Sequence, residues 1–317
     1  MMDGKKANVV ILLATYNGGR YLREQLDSIL AQREQDWHLL ISDDGSRDDT
    51  GMILREYKER FPQKITLAEH DEPTGSSMDN FMLLTHLAGD YDYIMYCDQD
   101  DVWLPQKIGV TLEKMRETEN GRRDIPCLVH TDLRVTDGEL NVKSESFFYS
   151  SMLRSERDQL HYLLIQNIVT GCTMMINHAL WELAVLPVTG GRVRMHDGWF
   201  ALIAAALGRI GFVDEPTMLY RQHSDNVVGA KDVRSFHYIA AAPTRLKRND
   251  QSIRLSQSQA GALAATLGDR LSPEQHDMLT AYANLRRHHK LKRLAFICRH
   301  RIWLLGWRRK LAEILLI

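Results

Sequence analysis

The chain has 317 residues, 44% of them hydrophobic and 26% charged, so it is too apolar to be disordered and long enough for one extended domain or two. Its 40 Lys and Arg balance 41 Asp and Glu, and the net charge of -1 gives no reason to expect nucleic-acid binding. The balance is uneven, because residues 271–317 carry ten basic and three acidic residues. This basic end suggests contact with an anionic surface.

The cysteines are too scattered for a CxxC metal or redox pair or for a disulfide scaffold, which favours a reducing cytoplasm: Cys97, Cys127, Cys172 and Cys298. The apolar run at residues 8–14 is short and leads into polar turn residues, so it predicts a strand and not a signal peptide. Charged residues interrupt the longest apolar candidate, residues 294–307, so no membrane span is expected.

In the first half of the chain, apolar runs that end in polar turns alternate with segments of helical spacing. The runs predict strands at residues 8–14, 37–42, 65–68 and 93–97. The spacing predicts helices at residues 22–30, 52–57 and 78–87, and another that opens at Pro105. This alternation predicts an α/β fold, a mostly parallel sheet with helices on both faces.

The second half changes character near residue 233, after which strand signals cease. Before that point we expect strands at 127–130, 172–176 and 211–213 and a buried helix at 197–207. After it, Ser272, Pro273 and Gln275 mark a helix start. The sequence therefore predicts an α/β domain at 1–232, with halves at about 1–130 and 131–232, and a helical basic extension at 233–317.

Polar clusters follow the first, second and fourth predicted strands: residues 14–17 (ATYN), 43–46 (DDGS) and 98–101 (DQDD). Each alone is also typical of turns and helix caps. Ligands of open parallel sheets bind beyond the carboxyl ends of the strands, so we expect the three clusters to converge on one cleft.

Asp98 and Asp100 are two residues apart, so extended backbone places both carboxylates on one side. Mg²⁺ and Mn²⁺ prefer such oxygens and complete their shells with water and substrate phosphates. The alternative is that Asp100 and Asp101 cap the helix near Pro105. A Walker loop and the GxGxxG motif are absent from the sequence.

The motifs ATYNGGRYLREQLDSILAQ, ISDDGSRDDT and YCDQDDVWLPQK resemble the family-two inverting glycosyltransferases of the GT-A fold. The resemblance continues through NIVTGCTMMIN, MHDGWFALIAAALGRIGFVDEP and YRQHSDNVVG. In these three motifs the chain is similar to the branch of the family that includes rhamnosyltransferases of bacterial polysaccharide assembly. The resemblance covers about residues 8–230.

The resemblance implies a nucleotide-sugar site and a metal site. Residues of the first would be Thr15, Tyr16, Asn17 and Asp44 around base and ribose, and Asp98 at the ribose. Asp44 would accept a hydrogen bond from the base, as suits a carboxylate, whereas Asp43 is expected to be structural. The metal, Mn²⁺ or Mg²⁺, would be held by Asp100 and His223.

The resemblance also implies roles in catalysis and in substrate binding for single residues. Asp197 would be the general base that removes the acceptor's proton; its alternative is a helix N-cap. Arg221 could hold a phosphate oxygen, and Asn80 is either a site residue or a helix cap. An acceptor or sugar pocket is predicted from Gln166, Asn167, Thr170, Gly171 and Trp199.

Basic residues alternate with Leu, Ile and Trp in the last thirty residues. The alternatives are a helix packed on the catalytic domain and an interfacial helix; two tryptophans beside basic residues favour the interfacial helix. We expect a cytoplasmic protein, peripheral at the inner face of the cytoplasmic membrane, where a lipid-linked glycan acceptor would lie.

The function expected from the resemblance is transfer of a sugar to a hydroxyl of that acceptor, with dTDP-L-rhamnose as first donor and UDP-hexoses second, in O-antigen or capsule biosynthesis. A sugar-nucleotide pyrophosphorylase is disfavoured because its glycine-rich opening loop is missing. A catalytically inactive nucleotide-sugar binder is the rival of another class.

Overall fold

The computed structural model describes residues 8–70, 72–223 and 242–306 and, after them, residues 310, 313, 314 and 316; at 242–249 it describes the backbone alone. The helices and strands, in chain order, are β1 (Val9–Thr15), α1 (Leu22–Leu30), β2 (Trp37–Asp43), α2 (Thr50–Arg60), β3 (Ile65–Leu67), α3 (Ser77–Leu87), β4 (Tyr93–Cys97), β5 (Val102–Trp103), α4 (Lys107–Glu119), β6 (Cys127–Thr136), β7 (Val142–Ser144), α5 (Phe147–Ser150), α6 (Leu160–Leu163), β8 (Met175–Asn177), α7 (His178–Ala184), α8 (His196–Leu207), β9 (Arg209–Arg221), α9 (Ala242–Leu267), α10 (Pro273–Ala283) and α11 (Lys290–His300).

The chain forms two compact units that interleave along the sequence. The sheet unit comprises residues 1–147, 170–185 and 209–230, and the helical unit comprises residues 148–169, 186–208 and 231–317. Each unit is built from three segments of the chain, so no single boundary in the sequence separates the two units. The predicted boundary between the N-terminal domain and the basic extension, at residue 232, falls outside the described residues and stays a prediction.

The sheet unit contains, within its described part, a nine-stranded sheet in the order β3-β2-β1-β4-β8-β6-β9-β5, with β7 beside β6. Strand β1 pairs in parallel with β2 and β4, β2 with β3, and β6 with β9. Strand β8 runs antiparallel between β4 and β6. Most paired positions are parallel, which confirms the predicted fold class.

The N-terminal strands form where the sequence predicts them because both faces of the sheet are covered. Residues 9–13 of β1 are each at most 1% exposed, as expected for a continuous apolar run in a parallel sheet. From β1 the chain moves to β2 and β3 on one side and returns to β4 on the other. This change of direction beside β1 is the switch point at which open α/β sheets bind ligands.

Three strand predictions were wrong in extent. Strand β6 covers ten residues, Cys127–Thr136, instead of four. Residues 171–173 form a 3₁₀ turn, and β8 begins only at Met175. Strand β9 covers thirteen residues instead of three, because its pairing with β6 continues through Pro216, where the register shifts. The polar DEP segment is therefore part of an irregular strand.

The helical unit contains α8 and, in its described part, the helices α9 to α11. At the start of α10, the Gln275 N–H donates to the Ser272 hydroxyl at 3.2 Å and the Ser272 N–H to Gln275 Oε1 at 3.0 Å, which confirms the predicted helix start. Helix α11 ends at His300, and the C-cap residue Arg301 has a left-handed φ of 55°, while Ile297 and Ile302 are fully buried. The predicted tail helix therefore stops at His300 and packs one apolar side; Trp307 lies outside the described residues. Among the helices described, none is long and apolar enough to cross a bilayer.

Candidate functional site

The three polar clusters converge at the carboxyl ends of β1, β2 and β4, as predicted. The Tyr16 N–H donates to Gln99 Oε1 at 2.8 Å, and Gln99 Nε2 donates back to the Tyr16 carbonyl at 3.0 Å. On the other side, the Asn17 N–H donates to Ser46 Oγ at 2.8 Å. Hydrogen bonds thus join the loop after β1 to both neighbouring loops.

The close approach of the loop after β1 to its two neighbouring loops depends on Asn17 and Gly18. Asn17 has a left-handed φ of 48°, which asparagine tolerates, and its side-chain oxygen accepts from the Arg47 N–H at 2.8 Å. A Cβ on Gly18 would lie 2.2 Å from Gln99 Oε1, so a larger residue would displace the Gln99 amide from its two hydrogen bonds to Tyr16. Gln99 belongs to one of the predicted polar clusters, but the sequence predicted no role for it. The acidic residues beside it were the only sign that it lies at the site.

Asp43 has the structural role that we predicted. The buried Thr15 hydroxyl donates to Asp43 Oδ1 at 2.7 Å, and the Ser46 N–H donates to Oδ2 at 3.0 Å. Thr15 therefore lies beneath the loop and fixes Asp43, while Tyr16 is 56% exposed. Of these two predicted nucleotide residues, Tyr16 is the one with a side chain open to a ligand.

Asp44 anchors the segment that precedes α3. Its carboxylate accepts the backbone N–H of Thr74 through Oδ1 and that of Gly75 through Oδ2, the latter at 3.1 Å. The side chain is nearly buried, but each carboxylate oxygen has a second lone pair. Asp44 thus holds this loop at the end of β2, and its carboxylate can still accept a further hydrogen bond.

Asn80 is not the helix cap. Ser76 caps α3 by accepting from the Asp79 N–H at 3.1 Å. The buried Asn80 amide instead donates to the Ser42 carbonyl of β2 at 3.2 Å, and no partner of its Oδ1 is found among the described residues. Asn80 fastens α3 to the strand that carries Asp44.

The predicted metal ligands meet although they are 123 residues apart in the chain. His223 Nε2 lies 2.7 Å from Asp100 Oδ2, and both side chains are about 15% exposed. The cap alternative for Asp100 and Asp101 is wrong, because α4 begins at Lys107 with Gln106 before it. Asp98 is partly buried at the end of β4.

A buried polar cluster lies beside this pair. One carboxylate oxygen each of Asp98 and Asp101 and the Cys172 sulfur lie within 4.8 Å of one another. Asp101 Oδ1 accepts from the Arg221 N–H at 3.0 Å, whereas no hydrogen-bond partner of Oδ2 is found in the described part of the chain. Burial and the charge of Asp100 raise the pKa of Asp101 well above its usual range, and burial lowers the pKa of Lys107 to about 8.

Arg221 is not placed as a phosphate ligand, contrary to the prediction. It is 2% exposed, and its guanidinium donates to the carbonyls of Asp100 and Gly138 and to Glu24 Oε2. Three protein acceptors thus face the fork that a phosphate would need. Sequence analysis missed Glu24, because nothing in α1 marks it.

In the helical unit, Asp197 lies in the first turn of α8, and Met195 holds the N-cap position. Its Oδ1 accepts from the Gly198 N–H at 2.5 Å, and the side chain is partly exposed. The N-cap alternative is therefore wrong. Burial lowers the pKa of the neighbouring His196 to about 3, so that imidazole is neutral at pH 7.

The predicted pocket residues are divided between the units. In the helical unit, a Cβ on Gly198 would lie 3.6 Å from Asn167 Nδ2, so Asn167 lies beside the residue that follows Asp197. Gln166 Oε1 accepts from the Leu305 N–H at 3.0 Å. Trp199 is fully buried, which corrects its prediction as a pocket wall.

The other two pocket residues belong to the sheet unit. The Thr170 carbonyl accepts from the Thr173 N–H at 2.9 Å and from its hydroxyl at 2.7 Å. Gly171 opens the 3₁₀ turn that follows. Both residues shape the turn before β8, and neither is fully buried.

The residues at the ends of β4 and β9 fit a divalent cation. Asp100 and His223 present a carboxylate oxygen and an imidazole nitrogen, a donor set that Mn²⁺ accepts. The buried Asp101 Oδ2, for which no partner is described, favours a proton or a cation beside it. Cys172 adds little, because burial keeps the pKa of its thiol well above the usual range.

Comparison with known proteins decides the family. Residues 10–184 match the family model described as glycosyl transferase family 2. The chain belongs to this family. The dTDP-rhamnosyl transferase RfbG of Shigella flexneri is 29% identical over 226 residues, which are 69% of this chain and 74% of that protein. Two other curated relatives are matched over 66% and 51% of their length.

Solved structures share the GT-A fold. Staphylococcus aureus TarS, residues 1–349 in complex with UDP-GlcNAc, has a TM-score of 0.57 and 15% identity, covering 98% of this chain and 79% of that one. The mannosyltransferase PcManGT of Pyrobaculum calidifontis, in complex with GDP-Man and Mn²⁺, has a TM-score of 0.55 and 18% identity, covering 99% and 79%. At this identity the likeness concerns the fold.

Proposed function

We propose that this family member is an inverting, metal-dependent glycosyltransferase. It moves a sugar from a nucleoside diphosphate donor to a hydroxyl of a lipid-linked glycan in bacterial surface polysaccharide biosynthesis. Its first donor is dTDP-L-rhamnose, which agrees with the name of the Shigella relative, and a UDP-hexose is the alternative. The observation that carries the proposal is the Asp100–His223 pair, 2.7 Å apart, at the ends of β4 and β9.

The donor-binding role rests on the loops around β1. Tyr16 stacks on or borders the base, Asn17 shapes the loop beneath it, and Asp44 accepts the imide N–H of uracil or thymine. Asp98 accepts from the ribose. Thr15 and Asn80 support this surface from below, through Asp43 and Ser42.

Asp100 and His223 would hold Mn²⁺ or Mg²⁺, which supplies positive charge to the oxygens of the leaving diphosphate. PcManGT was solved with Mn²⁺, which supports the choice of that ion. With these two protein ligands, the ion would complete its shell with water and diphosphate oxygens, as is usual for Mg²⁺ at phosphates.

Asp197 is the base of the transfer. As the acceptor oxygen forms its bond to the anomeric carbon, the bond from that carbon to the diphosphate oxygen breaks, and the hydroxyl proton passes to the Asp197 carboxylate. A carboxylate takes this proton late, when positive charge has built up on the oxygen. Asn167, beside Gly198, is the nearest candidate to orient the acceptor.

The first experiment separates a transferase from an inactive binder. Purified protein is incubated with Mn²⁺ and dTDP-L-rhamnose or a UDP-hexose, with and without a lipid extract, and released nucleotide is measured. Release that depends on the extract and on one donor supports transfer. Nucleotide binding without release from any donor would instead support the inactive binder.

The membrane contact is proposed for the exposed residues around α11. Arg287, Lys290, Lys292 and Arg299 are exposed, and Leu291 is 76% exposed. Each basic residue near an anionic bilayer contributes about 1 kcal/mol, and an exposed leucine adds apolar contact. This surface lies beside the packed Ile297, so the helix has protein on one side and a basic side in solvent.

Sedimentation with vesicles tests this contact. Wild type should bind phosphatidylglycerol vesicles and not phosphatidylcholine vesicles, and Leu291→Asp should reduce binding. Leu87, 51% exposed at the end of α3, offers the matched control Leu87→Asp, which should bind normally. Equal loss in both variants, or no binding by wild type, would contradict the membrane contact.

A further inference from the structure

Arg221 lies where β9 ends, two residues before His223, and makes contacts with three separate chain segments. Its Nε donates to the Asp100 carbonyl at 2.8 Å, and its backbone N–H donates to Asp101 Oδ1 at 3.0 Å. Its terminal nitrogens donate to the Gly138 carbonyl at 2.6 Å and to Glu24 Oε2 at 2.7 Å. A residue that sequence analysis assigned to the phosphate is thus bonded to the metal-binding loop itself.

The guanidinium also fixes the imidazole side of the pair. Its carbon lies 4.3 Å from the centre of the Tyr21 ring, and the Tyr21 ring lies 5.0 Å from the His223 ring. The contact of Arg221 with Tyr21 is a cation–π interaction in a nearly water-free position, where such contacts are strongest. Tyr21 therefore contacts both Arg221 and the ring that faces Asp100.

We infer that Arg221 is a positioning residue that presets Asp100 and His223 for the cation. Only a planar fork with five donors can serve the Asp100 carbonyl, the Gly138 carbonyl and Glu24 together; a lysine has one nitrogen for all three. Because Arg221 is 2% exposed, it acts through Asp100 and His223 and not on the substrate. The inference rests on the proposed metal site.

Partners that orient metal ligands usually affect metal affinity by about 10-fold to 100-fold. We therefore expect Arg221→Lys to weaken Mn²⁺ binding by at least about 10-fold. Saturating Mn²⁺ should restore much of the transfer rate, because the buried guanidinium of Arg221 is bonded to protein acceptors and acts through the metal ligands. Asp100→Ala, which removes a ligand, should not be restored in this way.

The test measures Mn²⁺ binding directly, by the electron paramagnetic resonance signal of free Mn²⁺ in the presence of dTDP or UDP. The matched control is Arg209→Lys, because Arg209 begins the same strand and donates to the carbonyls of Thr118 and Glu119, both at 2.9 Å. Arg209→Lys should lower the melting temperature with Mn²⁺ affinity unchanged.

Glu24→Ala provides a second variant in case Arg221→Lys does not fold, since the Glu24 side chain is half exposed and Arg221 keeps its two carbonyl acceptors without it. It should weaken Mn²⁺ binding in the same direction but by less. The inference is overturned if both Arg221→Lys and Glu24→Ala bind Mn²⁺ as wild type does. It is also overturned if Arg221→Lys raises only the dissociation constant of the nucleotide at saturating Mn²⁺, as a phosphate ligand would. If wild type binds no Mn²⁺ with either nucleotide, the proposed metal site fails first and this inference with it.

Discussion

Replacing Asp197 by Asn separates catalysis by this residue from its contribution to the fold. The amide oxygen can still accept the Gly198 N–H, so the local hydrogen bond is kept. What the fold loses is one negative charge in the first turn of α8, which is worth about 0.3 to 1 kcal/mol. We therefore expect a shift in melting temperature below about 4 °C.

The expected effect on chemistry is much larger. An amide cannot take the proton of the acceptor hydroxyl, so the transfer rate should fall by about 10² to 10⁴-fold, the usual contribution of general-base catalysis. That range corresponds to about 2.7 to 5.5 kcal/mol of barrier, several times the loss in stability. Donor affinity should change little.

The assay measures transfer at saturating donor and acceptor, with thermal unfolding and donor titration on the same protein. Glu274→Gln is the matched control, because Glu274 has the same place in the first turn of α10 and undergoes the same change from carboxylate to amide. A near wild-type rate for Asp197→Asn, or a loss that follows its unfolding, would refute the assignment of the base.

Three further outcomes follow from the structure. Asp100→Ala should abolish transfer and weaken donor binding in the presence of Mn²⁺, and His223→Ala should do so less severely; full activity of Asp100→Ala in metal-treated protein would contradict the metal site. Burial lowers the pKa of His130 and of His196 to about 3, so the unfolded chain binds more protons below pH 6.5 and stability falls as the pH drops from about 6.5 to 3. Each imidazole should cost about 2 kcal/mol at pH 5, which urea unfolding at pH 7 and pH 5 can measure, and an unchanged free energy of unfolding would argue against it. Ser272→Ala removes the cap of α10 and should cost about 1 kcal/mol in the same assay, without loss of transfer.

The sequence predicts best those features that depend on local pattern. Strands β1, β2 and β4 are continuous apolar runs that end in polar turns, and that pattern is sufficient to place their carboxyl ends together. The convergence of the clusters at Thr15, Asp44 and Asp98 follows from parallel pairing alone. The length of β9 could not be predicted, because its pairing with β6 overrides the turn signal of Pro216.

Side-chain partners across long separations were beyond the sequence. Nothing near Arg221 indicates that Glu24 and Gly138 occupy its fork, so a phosphate was an equally reasonable partner. Asp197 is not the N-cap of α8, because the helix begins at His196 and its N-cap, Met195, lies two residues before Asp197. Trp199 was assigned to a pocket from its motif, whereas full burial makes it part of the interior.

The interleaving of the two units has a consequence for synthesis on the ribosome. The loops after β1, β2 and β4 are complete by residue 101, but the sheet unit still lacks β8 (Met175–Asn177) and β9 (Arg209–Arg221) at that point of synthesis. Pairing at such sequence distance is slow, because a long loop must close before its contacts form. The emerging chain therefore has the loops around β1 long before His223 can reach Asp100, and the edges of β4 and β6 stay open to other strands during that interval.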